Sequence, residues 1–200
     1  MPDNAKAAFF DEIAEKWDGW EDLPSLAAKL DAGLAELGLG PDESVIDAGC
    51  GTGNLTKAIL ARMSPAGRIT AIDISPRMIE EARRKISDAR VEWRVADIVR
   101  LPFPDAAYDR VFCFAVWPHI GDAAAAAKEI ARVLKPGGRL HVWHLVSREK
   151  VVAVHASAGA PVHHDVLQPA AETAALLERH GYRVTTAIDD QDRYLVTAVR

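Results

Sequence analysis

Three glycines at alternate positions, Gly49, Gly51 and Gly53, interrupt an apolar run in the stretch VIDAGCGTGNLT, Val45 to Thr56. Glycine adopts backbone conformations closed to other residues and lets a ligand lie against bare main chain. The spacing sorts the possible ligands. A dinucleotide turn wants G-x-G-x-x-G, but the third glycine's position is Asn54, and the Gly-Lys-Ser/Thr of a nucleotide-hydrolase phosphate loop is absent. About twenty residues further on, Asp73 closes the apolar run of ITAIDIS, where a carboxylate can accept both hydroxyls of an unphosphorylated ribose. Asp97 and Ile98, at the end of VEWRVADI, pair a carboxylate with an apolar side chain, which suits the exocyclic amine and flat faces of an adenine. Two histidines, His119 in AVWPHIGD and His144 in LHVWHLVS, offer imidazoles of the kind that take a proton near neutral pH.

The elements that must position these residues follow from hydrophobic pattern. Ser44–Ala48, Ile69–Ile72, Val91–Val95, Arg110–Val116 and Leu140–Leu145 read as strands, rich in β-branched and aromatic residues and bounded by Gly, Pro or Asp. Between them, Leu55–Met63 and Met78–Ile86 carry apolar residues three and four apart, and Ala123–Leu134 follows a cap at Asp122 and stops before KPGG. Strict alternation predicts right-handed crossovers and an α/β architecture whose mainly parallel sheet is covered on both faces. A helix at Pro169–His180 is followed by strands Tyr182–Ile188 and Tyr194–Val199, joined by the short polar turn DDQD, so the last pair is an antiparallel C-terminal hairpin. In an open parallel sheet, ligands bind at the carboxyl ends of the strands, which is where the glycines, Asp73 and Asp97 fall.

A ligand with ribose and adenine but no phosphate points to S-adenosylmethionine. The blocks VIDAGCGTG, IDIS with Met78, VADI, YDRVFCFAVWPHI and EIARVLKPGGRL, in that order, resemble the class I S-adenosylmethionine-dependent methyltransferases, and within them the small-molecule group similar to the ubiquinone and menaquinone methyltransferases. The resemblance implies a doubly wound, Rossmann-like sheet of seven strands and S-adenosylmethionine as cofactor. It implies cofactor contacts at Asp47, Gly49, Gly51, Asp73, Asp97 and Ile98. Gly53 and Ile74 join them as candidates, and Met78 and Phe114 rank lower.

Each residue also has a plainer reading. Asp47 can serve the turn through its own backbone hydrogen bonds instead of touching the ligand. Cys50 fits as a small filler, and Met78 and Phe114 fit as core. A lone histidine at a strand end is commonly a wall residue, and Arg148 a solvated charge. As acceptor-side candidates, Arg148 could hold a carboxylate or phosphate by a bidentate contact, and His155 lies in the histidine-rich segment that follows the fifth strand. At the N-terminus, Phe10, Ile13, Trp17 and Trp20 make one helical stripe; related enzymes imply a lid there, with Trp17 against the acceptor. The expected organisation is one methyltransferase domain over 1–200, with 1–24 as aromatic helix and lid and 146–168 as an inserted acceptor-side loop.

Composition narrows the function. At 200 residues, 49% of them hydrophobic, the chain suits one domain with one core. A net charge of −5 gives no reason to expect nucleic acid or an anionic membrane. Two cysteines far apart fit a reducing compartment, and the N-terminal MPDNAKAAFFDEIAEKWDGW reads as neither signal peptide nor span, so the expected address is the cytoplasm. The leading reading is methyl transfer to a small-molecule acceptor, with His119 or His144 as the base. The alternatives are an S-adenosylmethionine-binding protein without transfer activity, and a metal- or cofactor-handling protein using the histidine-rich loop. No closed ligand spacing such as H-E-x-x-H supports a metal, so none is assigned. Nothing in the sequence bears on oligomeric state.

Overall fold

The computed structural model describes residues 4–158 and 160–200. Seven strands form one sheet in the order β3-β2-β1-β4-β5-β7-β6, and the chain divides into two compact units, the first ending at Asp97 and the second running Ile98–Arg200.

The first unit begins with helix α1 (Asn4–Ile13), a 3-10 segment (Ala14–Trp20) and helix α2 (Leu23–Glu36). Asp22 caps α2 by accepting from the Ser25 amide at 3.2 Å, and Leu30 and Leu34 on its inner face are fully buried. Strands β1 (Ser44–Ala48), β2 (Arg68–Asp73) and β3 (Val91–Val95) pair in parallel, Ala48 opposite Ile72 and Ile72 opposite Arg94. Helix α3 (Asn54–Arg62) leaves the glycine turn directly. Helix α4 (Pro76–Lys85) is capped by Ser75, whose hydroxyl accepts from the Met78 amide at 3.0 Å. Cys50, Ala71, Ile79, Ala82, Ile86 and Trp93 pack into one cluster against this helix.

The second unit holds β4 (Tyr108–Phe114), a 3-10 turn (Trp117–His119), α5 (Ala123–Val133) and β5 (Leu134–His144). They are followed by α6 (Arg148–Ser157), α7 (Ala170–Arg179), β6 (Arg183–Asp189) and β7 (Tyr194–Val199). β4 and β5 are parallel, with Phe114 opposite Trp143, and β7 pairs antiparallel with both β5 and β6. Asp190 ties the hairpin turn by accepting from the Asp192 and Arg193 amides, each at 2.9 Å.

Several boundaries differ from the sequence reading for identifiable reasons. β5 starts at Leu134, the last residue of the expected helix, and runs on through the expected breaker KPGG, because Gly137 takes φ +80° and the run pairs with the chain end: Gly137 donates to Arg200 at 3.1 Å and Arg200 to Gly138 at 2.9 Å. Helix α2 was not anticipated. The segment expected as a loop over 146–168 is in good part the helix α6, capped by Ser147. The N-terminal stripe is not continuous, because the α-helix tightens to 3-10 after Ile13; the period changes, and Trp20 is left 62% exposed.

Candidate functional site

β1 ends in a turn pinned onto β2, the amides of Gly49 and Cys50 both donating to the Ile72 carbonyl at 2.8 and 2.9 Å. Gly51 follows with φ +52°, and a side chain built there would meet nothing within 4 Å. Its amide donates to Asp73 Oδ2 at 2.9 Å. Gly53 is different. At φ +87° it caps α3, and a Cβ there would lie 3.0 Å from Trp93 and 3.1 Å from Ile86, so this glycine lets the helix approach the apolar cluster.

Two carboxyls stand under this turn. Asp47 is 1% exposed; its Oδ2 accepts from the Thr56 hydroxyl at 2.5 Å, while Oδ1 is buried without a partner. Burial pushes its pKa up to about 7, opposed by the Thr56 bond and reinforced by Asp73. Asp73, at the end of β2, accepts from the Gly51 amide on Oδ2 and the Ser75 amide at 2.9 Å on Oδ1. Burial raises it to about 6, against those amide bonds. Burial, with both carboxylates beside it, also pushes the Cys50 thiol up, so Cys50 is an inert filler.

These features fit S-adenosylmethionine. The side of Gly51 that a Cβ would occupy is open, the Asp73 carboxyl, with four acceptor positions and three amide donors, keeps capacity for a ribose hydroxyl, and the unpartnered Asp47 oxygen calls for a donor.

The N-terminal segment supplies residues that the sequence reading missed. Asp18 accepts from the Thr52 hydroxyl at 2.6 Å, Asn54 Nδ2 at 3.1 Å and Lys85 Nζ at 2.5 Å. Burial tends to raise its pKa, but the bonds to Lys85, Thr52 and Asn54 together hold it low. Asp11 accepts from the Ser75 hydroxyl at 2.5 Å and the Arg77 amide at 3.0 Å. Asp11 thus sits on the N-terminus of α4, and Asp18 beside the start of α3. Their seven-residue spacing, two helical turns, was the available signal. Trp17 is half-buried, edge-on to Phe10 and Trp20 at centroid distances of 6.1 and 6.0 Å.

In the second unit, His119 Nδ1 lies 2.6 Å from Asp165 Oδ2. The His119 and His155 rings are 4.6 Å apart, and His155 Nδ1 lies 2.8 Å from the Asp165 backbone carbonyl. His144 ends β5 at 3% exposure, edge-on to Tyr194, with Nε2 buried and unpartnered. Burial pushes its pKa down to about 3, and His119 and His155 add to the effect. Arg148 opens α6 with its guanidinium engaged, donating to Asp189 at 3.0 Å and Glu149 at 2.8 Å.

The remaining candidates are placed as follows. Ile74 is half-buried between β2 and α4, and Met78 is 1% exposed inside α4. Asp97 is half-buried just beyond β3, and Ile98 is 8% exposed. Phe114 ends β4 with its ring 5.1 Å from Trp143. Among the described residues, no group of three or more His, Cys, Asp or Glu side chains is arranged to hold a metal ion, and no helix is long and apolar enough to cross a membrane.

Comparison with known proteins agrees with this geometry. Residues 45–138 match the family described as "Methyltransferase domain". The chain is 32% identical over 138 residues to the demethylmenaquinone methyltransferase of Symbiobacterium thermophilum, covering 65% of this chain and 55% of that protein. It is 36% identical over 137 residues to the malonyl-[acyl-carrier protein] O-methyltransferase of Serratia marcescens, covering 67% and 50%. The chain thus spans about half the length of these curated relatives. A crystal structure of an S-adenosylmethionine-dependent methyltransferase from Aquifex aeolicus has the same fold, with a TM-score of 0.77 at 22% identity over 94% of this chain and 97% of that one. The glycine turn, the acid ending β2 and the sheet order lie within or around the matched segment, and in that segment and in its fold this chain is similar to the class I S-adenosylmethionine-dependent methyltransferases.

Proposed function

We propose that the protein transfers a methyl group from S-adenosylmethionine to a small-molecule acceptor. The observation that carries this reading is the open side of Gly51 beside the Asp73 carboxyl. Bound there, the cofactor supplies a methyl group already activated on a cationic sulfonium. The chain's own residues then have three tasks. Asp73 holds the ribose hydroxyls, while Gly49 and Gly51 admit the ligand to the main chain; Asp97 and Ile98 are assigned to the adenine. His119 and His144 are the candidates for taking the acceptor's proton, and His155, Trp17 and Arg148 are assigned to the acceptor's surroundings. Since the methyl is an activated leaving group, holding the nucleophile in line accounts for much of the rate.

The names of the two curated relatives, which give demethylmenaquinone and malonyl-[acyl-carrier protein] as what they act on, support an organic acceptor for this chain. The acidic charge balance supports an acceptor other than nucleic acid, and the reading includes a single domain over 1–200 working in the cytoplasm. Titration calorimetry with S-adenosylmethionine tests the cofactor assignment, and a screen of candidate acceptors that measures S-adenosylhomocysteine release tests transfer. Binding without release for any acceptor would favour a sensor or partner subunit.

A further inference from the structure

Strand β3 has β2 on one side only, which leaves it at an edge of the sheet. Its bonds to β2 fix which main-chain groups are committed. Ile69 donates to the Arg90 carbonyl at 2.9 Å and Ala96 to the Asp73 carbonyl at 3.0 Å, and successive residues of a strand turn their main-chain groups to opposite sides. Arg90, Glu92, Arg94 and Ala96 therefore face β2, and Val91, Trp93 and Val95 face outward. Two outward groups are taken within the chain: the Val91 amide donates to the Asp88 carbonyl at 3.1 Å, and the Trp93 carbonyl accepts from the Arg83 guanidinium at 2.9 Å. Among the described residues, nothing pairs with the Trp93 amide or with either main-chain group of Val95. An edge of this kind is a template for another strand.

We propose that β3 pairs with β3 of a second copy of this chain, antiparallel about a two-fold axis at Trp93, and that Arg83 guards the edge while the chain is single. The proposal is independent of the methyl transfer.

The sequence selects both the occupant and the register. In a two-fold contact, a residue that faces a second one is faced by it in return, so the strand must complement itself. VEWRV does so about its centre: Trp93 meets Trp93, Glu92 lies opposite Arg94, and Val91 lies opposite Val95. The five residues carry no such meaning until the sheet order makes β3 an edge. Glu92 and Arg94 share one face of the strand, stand 51% and 58% exposed, and in the single chain pair with each other at 2.5 Å. In the dimer each also gains an opposite charge from the second copy, which closes a set of four. Moving the axis by one residue sets Glu92 on Glu92 or Arg94 on Arg94, and like charges directly opposite are destabilising.

The other face agrees. Trp93 packs there into the cluster under α4 with Val91 against it, while Val95, on the same face, is left 54% exposed. Pairing brings Val91 of the second copy opposite Val95 and covers it. The Trp93 amide of each copy then donates to the Trp93 carbonyl of the other, and the Val95 amide to the Val91 carbonyl. For the first of these bonds Arg83 must let the Trp93 carbonyl go. A charged side chain laid on an edge in this way is a removable cover.

The test is sedimentation equilibrium of the whole protein over a range of concentrations. The parent should pass reversibly from one copy to two and stop there. Glu92→Arg sets like charges opposite at both ends of the pair and should weaken association roughly tenfold. Adding Arg94→Glu to it restores the complement and should restore the dimer. Arg83→Ala frees the Trp93 carbonyl and should tighten association roughly fivefold. Exchange of the Trp93 and Val95 amides with solvent should slow as the parent is concentrated, and not in Glu92→Arg. A parent that stays single at every concentration overturns the proposal and leaves the edge to a strand of another protein. Association beyond two copies overturns it as well, as does a dimer that Glu92→Arg leaves intact or a double variant no better than the single one. An Arg83→Ala variant that associates no more tightly overturns the guarding role. If Glu92→Arg fails to fold, Arg94→Glu, which sets Glu92 opposite a second acid, decides in its place.

Discussion

Asp47 and Asp73 are carboxyls that the fold keeps dry and that a bound cofactor would use. Asp73 accepts from the Gly51, Ser75 and Ile74 amides and has acceptor capacity left over, so Asp73→Ala should weaken S-adenosylmethionine binding by about 1–3 kcal/mol, read by calorimetry. Unchanged affinity would remove the ribose assignment. The raised values, about 7 for Asp47 and about 6 for Asp73, also fix a pH dependence. Both groups hold protons in the folded, cofactor-free protein that the unfolded chain has released. Their contribution to stability is therefore full below about pH 4 and is lost as pH rises through 6 to 7. Asp47→Asn should accordingly gain in melting temperature over the parent between about pH 5 and about pH 8, and a pH-independent difference would refute the linkage. Cofactor affinity should move the opposite way, falling below about pH 6 as Asp73 loses the charge that accepts hydroxyls. At this scale, the sequence made Gly51 and Asp73 legible because a glycine turn and an acid at a strand end are local patterns. Gly53 read like its neighbours, but its contacts with Trp93 and Ile86 exist only after packing. The His119–Asp165 pair joins residues 46 apart, which no spacing rule reaches.

Among the elements, the N-terminal segment is the one whose behaviour its contacts predict most directly. An aromatic stripe was visible in the sequence, but its anchors are acids: Asp18 on Thr52, Asn54 and Lys85, and Asp11 on Ser75 and the Arg77 amide. Helix N-termini attract anions through unpaired amides and dipole, and here Asp11 occupies that position on α4, while Asp18 meets the Thr52 and Asn54 side chains beside the start of α3 and the Lys85 ammonium at the end of α4. Ser75 joins the systems, giving its amide to Asp73 and its hydroxyl to Asp11, so the segment is tied to the carboxyl assigned to the ribose. Asp18→Ala should free the 3-10 segment from the glycine turn. Limited proteolysis within residues 4–22 should then speed up, and S-adenosylhomocysteine should dissociate roughly tenfold faster, the equivalent of losing ~1.4 kcal/mol of contacts. An unchanged cleavage rate would mean that the aromatic contacts alone hold the segment down. The change from α to 3-10 at Ala14 was not legible, because the apolar spacing of Phe10, Ile13, Trp17 and Trp20 runs through it without a break. Helix α6 was missed for a related reason: its pattern is weakly amphipathic, and its start is fixed by the Ser147 cap, hydrogen-bonded to the Lys150 amide at 3.3 Å.

At the scale of the whole chain, the alternation of strand and helix was legible because parallel strands buried on both faces make short continuous apolar runs, and the closing hairpin because its connection is too short for a crossover. How many cooperative bodies the chain forms is not a property of pattern. The residues assigned to the glycine turn and ribose lie in the unit ending at Asp97, and the histidine cluster lies in Ile98–Arg200. Scanning calorimetry with S-adenosylhomocysteine separates the two possibilities. A ligand that binds only the folded state, at a free concentration a hundredfold above its dissociation constant, stabilises by ~2.7 kcal/mol, which for a chain of this length is roughly 5–10 °C in melting temperature. If the chain is one domain, a single transition should move by that amount, and the calorimetric and van't Hoff enthalpies should agree with and without ligand. If the units melt separately, two transitions should appear and only one should move. Asp73→Ala identifies it, because at the same ligand concentration that variant should reduce the shift while leaving the other transition in place. A single transition with no shift would count against cofactor binding itself, since ligand binding to the folded state must raise its stability wherever in the chain the binding residues lie.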